Sequence, residues 1–309
     1  VPGGARRIGP ARVMSDFLTP FLMQSAVQAI TPILLAALAG VLCGRVGVFN
    51  MAMEGQMLVG AFAAIAGSYA SHSAGVGVVA AIAATVLFSL ILAYGATIFR
   101  GDSVVICIGM NLLASGLTAY LLRALFNVSG TFSDPAIEGL QRIRIPALQS
   151  LPILGWGFAR QTAITWCAWV LVVIVAVVMF KTPTGLRLRG VGEQPDAAES
   201  LGVDVNRYRI VTVLVGGALC GLAGAQLSLG AVTVFAEDMT AGRGWIAVVA
   251  VMLGRGHPVY SAAACALFGV ADAVGLRLQG LGLPNQLTDV APYVVTLAAL
   301  AISRRRRAA

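Results

Sequence analysis

The sequence predicts an all-α protein that crosses a membrane about eight to ten times, with short or broken helices among its spans. Hydrophobic residues make up 58% of the 309 residues, and charged residues make up only 11%. Because no water-soluble core needs that much apolar surface, we expect one polytopic membrane domain over residues 17–303. Residues 1–16 are expected to be an N-terminal tail, and residues 304–309 a basic cytoplasmic tail.

Charge, cysteine and lysine usage exclude several classes of function. The net charge of +8 favours cytoplasmic membrane flanks over nucleic-acid binding, because the arginines lie at the ends of apolar segments. The five cysteines lie inside apolar stretches without paired spacing, which predicts packing residues and neither disulfides nor a metal site. The only lysine, Lys181, has no glycine-rich phosphate-binding context. We therefore expect no ATP hydrolysis and no metal or cofactor in this chain.

Apolar runs and polar segments alternate along the chain. We expect spans over about residues 19–44, 76–99, 104–122, 162–180, 210–232, 259–276 and 287–302, with a further span beginning near residue 50. Residues 123–161 are too long for a tight turn and are expected to form an external loop that lies partly on the membrane. If residues 182–207 form a cytoplasmic loop, alternation places Arg45, Arg100 and Arg255 on the cytoplasmic side as well.

Two polar residues, Asn50 and Glu54, mark the beginning of the second span. They stand four residues apart, so on a helix they would share a face. A carboxylate at this position is costly unless it is paired or faces water. Glu54 therefore either caps a helix at the cytoplasmic rim, paired with Arg45, or lines the substrate pathway together with Asn50.

Asn111 lies in the middle of the span predicted at 104–122, and Ser115 is one helical turn further on. An amide at this depth either forms an interhelical hydrogen bond or lines a pore. The sequence leaves both interpretations open.

A short apolar segment at residues 244–253 indicates a broken helix. It offers about ten apolar residues, whereas a spanning helix needs about 20. Transporters place the polar backbone of the pathway at such helices, so Glu237, Asp238, Arg243 and Trp245 are candidate pathway residues. The alternative is a solvated loop with an internal ion pair.

The polar stretch TGLRLRGVGEQPDAAESLG, at residues 184–202, predicts a short helix. Pro195 suits the first helical position, Asp196 and Glu199 place negative charge in the first turns, and Gly202 can end the helix in the left-handed conformation. This helix has about two turns.

The predicted short helix has a small apolar side formed by Ala197, Ala198 and Leu201. Isolated helices shorter than about 12 residues are marginal in water, so this one must dock on its own membrane helices or on another protein. The alternative is a plain cytoplasmic loop whose arginines follow the positive-inside rule.

Three stretches resemble the permease subunits of binding-protein-dependent ABC importers, in the branch that handles nucleosides and simple sugars. They lie at residues 44–64, 182–224 and 235–258, and the second begins TPTGLRLRGVGEQPDAAESLGVDVNRYR. In that family the loop at 182–207 is pressed into the ATPase subunit. The resemblance thus implies a coupling role for Arg189, Gly192, Glu193, Pro195, Ala198, Glu199 and Gly202. One departure is CIGMN at 107–111, where the family usually carries a Ser-Gly pair.

The resemblance also implies partners and a location. It implies a multi-pass transport subunit of the bacterial cytoplasmic (inner) membrane that is not itself an enzyme. A related second permease would complete a heterodimer, a cytoplasmic ABC ATPase would hold ATP and Mg²⁺, and an extracytoplasmic solute-binding protein would deliver the solute. Nucleosides are the implied substrate class, with simple sugars and branched-chain amino acids as alternatives.

A membrane enzyme or receptor with a polar centre at Glu54, Asn111 and Glu237 is the alternative from another class of function. The sequence offers no pair of nucleophile and base at useful spacing, no metal cluster and no cofactor motif for it.

Overall fold

The helices of the computed structural model form one bundle, and the described residues are 20–144, 158 and 160–279. In chain order the helices are α1 (Pro20–Arg45), α2 (Met53–Ser71), α3 (Ala74–Thr97), α4 (Ser103–Phe126), α5 (Ala163–Lys181), α6 (Pro183–Glu193), α7 (Pro195–Ser200), α8 (Val205–Ala225), α9 (Arg243–Leu253) and α10 (Pro258–Gln279). A π-helix at Gln226–Val232 continues α8. Six of the described segments are long and apolar enough to cross a membrane, which confirms the polytopic all-α fold.

Within the described ranges, four short strands form two antiparallel pairs. β1 (Thr131–Phe132) pairs with β4 (Phe235–Ala236), and β2 (Arg142–Arg144) pairs with β3 (Arg160–Thr162). The first pair ties the loop that follows α4 to the segment that precedes α9.

Helix α1 forms the centre of the bundle. Every side chain from Ile33 to Ala39 is at most 1% exposed, and α1 packs against α5, α8, α9 and α10. Small residues such as Ala36, Ala37 and Gly40 let the neighbouring helices approach α1 closely, which suits it to this position. Pro32 lies inside α1 without ending the helix.

Arginines gather at one end of the bundle, called the arginine-rich end below. Arg45 donates from Nε and Nη2 to the carbonyl oxygen of Gly256 at 3.1 and 3.0 Å, and Arg209 donates from Nε to that of Val46 at 3.1 Å. Arg100 lines a cleft with Pro195 of α7 at this same end. The predicted grouping of these arginines with the loop at 182–207 is therefore present in the structure.

The loop at 182–207 contains two helices, whereas the sequence predicted one. Thr182 caps the additional helix α6, because its Oγ1 accepts a hydrogen bond from the Gly185 amide at 3.2 Å, and Pro183 occupies the first turn. The helix was missed because the glycines within it lower helix propensity.

Several expected segments differ in extent or lie outside the described residues. Helix α4 reaches Phe126, four residues past its expected end, and α8 begins at Val205, five residues before the expected sixth span. The expected last span at 287–302, the tails at 1–16 and 304–309, and most of residues 145–159 lie outside the described residues.

Candidate transport pathway and coupling surface

The carboxylate of Glu54 caps the beginning of the short helix α9. Glu54 Oε1 accepts a hydrogen bond from the Gly242 amide at 2.8 Å, and Oε2 accepts one from the Gly244 amide at 2.6 Å. The first amides of a helix have no partner within the helix and carry partial positive charge, so a carboxylate stabilises them. The expected ion pair with Arg45 is wrong, since that guanidinium binds the Gly256 carbonyl at the other end of α9.

Gly244 allows α9 to approach α2 this closely. A Cβ atom on Gly244 would lie 2.5 Å from the amide nitrogen of Glu54 and 2.7 Å from its Oε2. Gly242 has a φ of +82°, a left-handed conformation that L side chains rarely adopt. The Glu54 cap therefore requires both glycines of the GRG sequence at the start of α9.

Glu54 lies about one α9 length from the arginine-rich end of the bundle. Helix α9 rises about 16 Å over its 11 residues, from the Glu54 cap to the turn at Gly256 that binds Arg45. Asn111, which bonds to the residue after Glu54, follows Ser103 at the start of α4 by about 12 Å of helix. The hydrocarbon core of a bilayer is about 30 Å thick, so a bilayer with one face at the arginine-rich end would have its middle near the cap.

Asn111 fastens the beginning of α2 to α4. Its Nδ2 donates to the carbonyl oxygen of Met51 at 3.0 Å, and its Oδ1 accepts from the Gly55 amide at 2.9 Å. Of the two open interpretations, the structure shows the interhelical hydrogen bond, and the side chain stays half-buried. One turn further on, Ser115 donates to Asp238 Oδ1 at 2.8 Å.

Two candidate residues near the Glu54 cap, one aromatic and one acidic, are exposed. Trp245, on the first turn of α9, is 38% exposed, and Asp238 is exposed in the turn before that helix. Together with Asn111 and Ser115 they form what we call the pathway strip. The strip combines an aromatic face, a carboxylate, a hydroxyl and an amide beside the start of the short helix α9.

Glu237 and Arg243 have partners outside the segment that contains them, so the expected internal ion pair is wrong. Glu237 Oε1 accepts from the Gly130 amide at 3.1 Å and lies 3.8 Å from Nη2 of Arg123. Arg243 Nη2 lies 3.6 Å from Oδ2 of Asp272 on α10. Asp272 was missed, although an acidic residue inside an expected span is a signal for such a pair.

Asn50 does not share a helix face with Glu54, because α2 begins only at Met53. Asn50 is 3% exposed, and its Oδ1 accepts from the Ala52 amide at 2.9 Å while its Nδ2 donates to Gln56 Oε1 at 3.1 Å. Gln56 in turn donates to Ser89 Oγ of α3 at 2.9 Å. Asn50 and Gln56 thus form a buried structural network apart from the pathway strip, and Gln56 was missed in the sequence.

Helix α7 has the predicted ends. It begins at Pro195, and Gly202 follows it with a φ of +78°. A Cβ atom on Gly202 would meet nothing within 4 Å, so the glycine serves the backbone conformation and not close packing. The expected apolar side is wrong as a single face, since Ala198 is 7% exposed while Ala197 is exposed and Leu201 is 84% exposed.

One side of α7 therefore packs against its own chain, and another side is exposed. Ala198 belongs to a buried cluster that includes Val48 and Val191. Glu199 and Leu201 extend from the arginine-rich end, and we call them the coupling surface. A cleft of about 700 Å³ lies beside them, with Arg100 in its wall.

The remaining candidate coupling residues belong to α6. Gly192 touches the carbonyl oxygen of Arg45 so closely that a Cβ atom would overlap it. Arg189 lies over the ring of Phe180, with 5.4 Å between the guanidinium carbon and the ring centroid, so it packs back on its own chain. Glu193 is exposed.

Comparisons with known proteins agree with the resemblance carried by the three sequence stretches. The family described as branched-chain amino acid transport system, permease component, matches residues 22–300. The guanosine ABC transporter permease protein NupQ of Bacillus subtilis is 33% identical over 280 residues, which is 87% of each chain. The nucleoside ABC transporter permease protein NupC of Lactococcus lactis is 31% identical over 283 residues, 88% of each chain. The glucose ABC transporter permease protein TsgB13 of Haloferax volcanii is 28% identical and covers 89% of this chain and 75% of its own.

A solved structure has a similar fold. It is described as a metal-chelate type ABC transporter in an inward-facing conformation, and it aligns with a TM-score of 0.55 over 97% of this chain and 91% of its own. Its sequence identity is 15%, so the similarity concerns the fold alone.

Proposed function

This chain belongs to the family of branched-chain amino acid transport system permease components, and from this premise we propose that it lines the pathway of an ATP-driven nucleoside importer. It would work in a bacterial inner membrane with a related second permease, a cytoplasmic ABC ATPase and an extracytoplasmic solute-binding protein. ATP and Mg²⁺ would be bound by the ATPase. The observation that carries the proposal is the start of the short helix α9, held by the Glu54 carboxylate about one α9 length from the arginine-rich end.

The pathway strip is the surface that we assign to the solute. Broken helices near the midplane expose backbone and polar side chains where a solute crosses, and the shortness of α9 supports this role for it. Glu54 itself is occupied by two amides, so its role is to position α9. The exposed groups of the strip, Asp238 and Trp245, remain available to a passing solute.

Nucleosides suit the chemistry of this strip. Their flat bases stack on aromatic side chains such as Trp245, and their ribose hydroxyls donate hydrogen bonds to carboxylates such as Asp238. The two nucleoside permeases named above support the same class. The glucose permease keeps sugars as the second candidate.

Uptake by the reconstituted complex tests the substrate class. Vesicles that contain both permeases and the ATPase, with the binding protein added outside, should accumulate labelled guanosine and not glucose or leucine. This chain purified alone should hydrolyse no ATP. Uptake of glucose or leucine in preference to nucleosides would contradict the proposed substrate class. ATP hydrolysis by the isolated chain would contradict the proposal that the partner ATPase carries out this reaction.

The coupling surface is proposed to contact the ATPase, because α7 is too short to persist unaided and leaves Glu199 and Leu201 uncovered. Gly202→Val forces a branched side chain into a left-handed conformation at a cost of about 1–2 kcal/mol, without a clash. We expect complexes with this variant, or with Glu199→Arg, to assemble normally. They should take up less solute for each ATP that is hydrolysed.

Gly202→Asn is the matched control, because asparagine tolerates this backbone conformation. It should keep the ratio of ATP hydrolysed to solute transported. If Gly202→Val and Glu199→Arg keep that ratio too, α7 is only a charged connection between helices.

A further inference from the structure

A groove of about 850 Å³ runs between α5 and α8, away from the pathway strip. Both helices pack on α1, and Leu42 of α1 contributes to the wall of the groove. The rest of the wall is mainly aliphatic and includes Ile174 of α5 and Val211, Val215 and Leu219 of α8. Ile174, Val211 and Val215 are 48%, 52% and 46% exposed, so the groove is open at the side of the bundle.

The depth of the groove matches one leaflet of a bilayer. It extends along α8 from Tyr208 to Leu219, which is about 16 Å of helix. Half of a hydrocarbon core of about 30 Å is about 15 Å. An acyl chain from the leaflet at the arginine-rich end would therefore fill it from mouth to floor.

Two arginines flank the mouth of the groove. Arg187 comes from α6 and Arg207 from the first turn of α8. Within the described part of the chain, neither guanidinium lies within ion-pair distance of a carboxylate. Asp204 also lines the mouth, but its Oδ1 already accepts the backbone amide of Arg207 at 3.0 Å as a helix cap. The mouth therefore offers two unpaired planar donors, which suit a phosphate.

We propose that this groove binds one anionic phospholipid of the leaflet at the arginine-rich end. One acyl chain lies between α5 and α8, and the phosphate contacts Arg187 and Arg207. Basic pockets between membrane helices attract anionic headgroups, and the apolar wall adds the burial of the chain. The proposal rests on the membrane-spanning fold and is independent of the substrate.

The lipid would also reach the coupling surface. Leu201 and Gly202, at the end of α7, line the same groove. A bound lipid would cover part of Leu201, which is 84% exposed without it. The position of α7, and with it the rate of coupled hydrolysis, should therefore depend on anionic lipid.

Native mass spectrometry of the whole complex tests the proposal directly. The complex is incubated with vesicles of phosphatidylglycerol and phosphatidylcholine in equal amounts, and the lipids that stay bound are counted. The complex should retain phosphatidylglycerol in preference. Arg187→Gln with Arg207→Gln should lower that retention by about tenfold or more, because each basic residue near the surface adds to anionic lipid binding.

Three further variants make the result decisive. Arg100→Gln with Arg255→Gln removes the same charge at the same end outside the groove and should leave retention unchanged. Arg187→Lys with Arg207→Lys keeps the charge and should retain most of the lipid, which separates lost binding from misfolding. Val215→Trp fills the groove and should lower retention with both arginines intact.

Three results would overturn the proposal. An equal loss in the Arg100 and Arg255 variant would show general surface attraction. Unchanged retention in Val215→Trp would show that the groove is not the site. Cross-linking of Val211→Cys to another subunit or to residues 280–309 would show that protein fills the groove.

Discussion

Removing the Glu54 carboxylate should loosen the first turn of α9. In Glu54→Ala two backbone amides lose charge-assisted hydrogen bonds of 2.8 and 2.6 Å, each worth about 1.5–3 kcal/mol, and part of that loss is recovered by water. Loss of a helix cap alone typically costs about 0.5–2 kcal/mol. We therefore expect a local cost of about 3 kcal/mol. Glu54→Gln should cost about 1–2 kcal/mol, because its amide offers one acceptor oxygen to two donors.

Hydrogen exchange measured by mass spectrometry reports this cost where it arises. A tenfold change in local opening corresponds to about 1.4 kcal/mol, so amides at the start of α9 should exchange about 100-fold faster in Glu54→Ala and about tenfold faster in Glu54→Gln. The complex should be measured in lipid nanodiscs, with Glu138→Gln as the control, because Glu138 is exposed. Exchange within twofold of the parent in both Glu54 variants, or an equal change in Glu138→Gln, would refute the cap as the element that holds α9.

Two further predictions compare neighbouring positions. Gly192→Ala should destabilise the chain by about 1–3 kcal/mol through overlap with the carbonyl of Arg45, whereas Gly190→Ala, with open space around its Cβ, should be neutral or stabilising by up to about 1 kcal/mol. Thermal unfolding checks the order of the two, and the reverse order would contradict it. In a background with Cys167 replaced by serine, Trp245→Cys should react with a small polar thiol reagent, and Ala247→Cys, which is 0% exposed, should not. Mass spectrometry counts the labels, and an inert Trp245→Cys would remove that position from the pathway strip.

Local signals in the sequence were enough to place most helices. The start of α7 at Pro195 and its left-handed end at Gly202 follow from rules that act within one turn, and both were predicted. The short helix at 243–253 follows from counting apolar residues against the thickness of a bilayer. Helix α6 was missed because its glycines argue against a helix when they are considered without their packing. Gly192 is there to let the chain approach Arg45.

The partners of the charged side chains could not be predicted in the same way. Glu54 binds amides 188 and 190 positions away, and Arg243 pairs with Asp272 and not with the acidic residues beside it. A carboxylate in the membrane needs donors, but composition does not say whether an arginine or the start of a helix supplies them. Arg45 was the nearer candidate along the chain, and in the fold it is about one α9 length away from Glu54.

The packing of α7 was predicted only in part. Sequence spacing placed Ala197, Ala198 and Leu201 on one apolar side, and the structure buries only Ala198. Helix α7 contacts α6 and α8, yet these contacts bury only Ala198 of the three apolar groups, which leaves Leu201 for a partner or for lipid. Leu201 lies where the coupling surface meets the groove between α5 and α8. Its exposure therefore links the two proposals, since a partner that covers Leu201 and a lipid that fills the groove would both contact the end of α7.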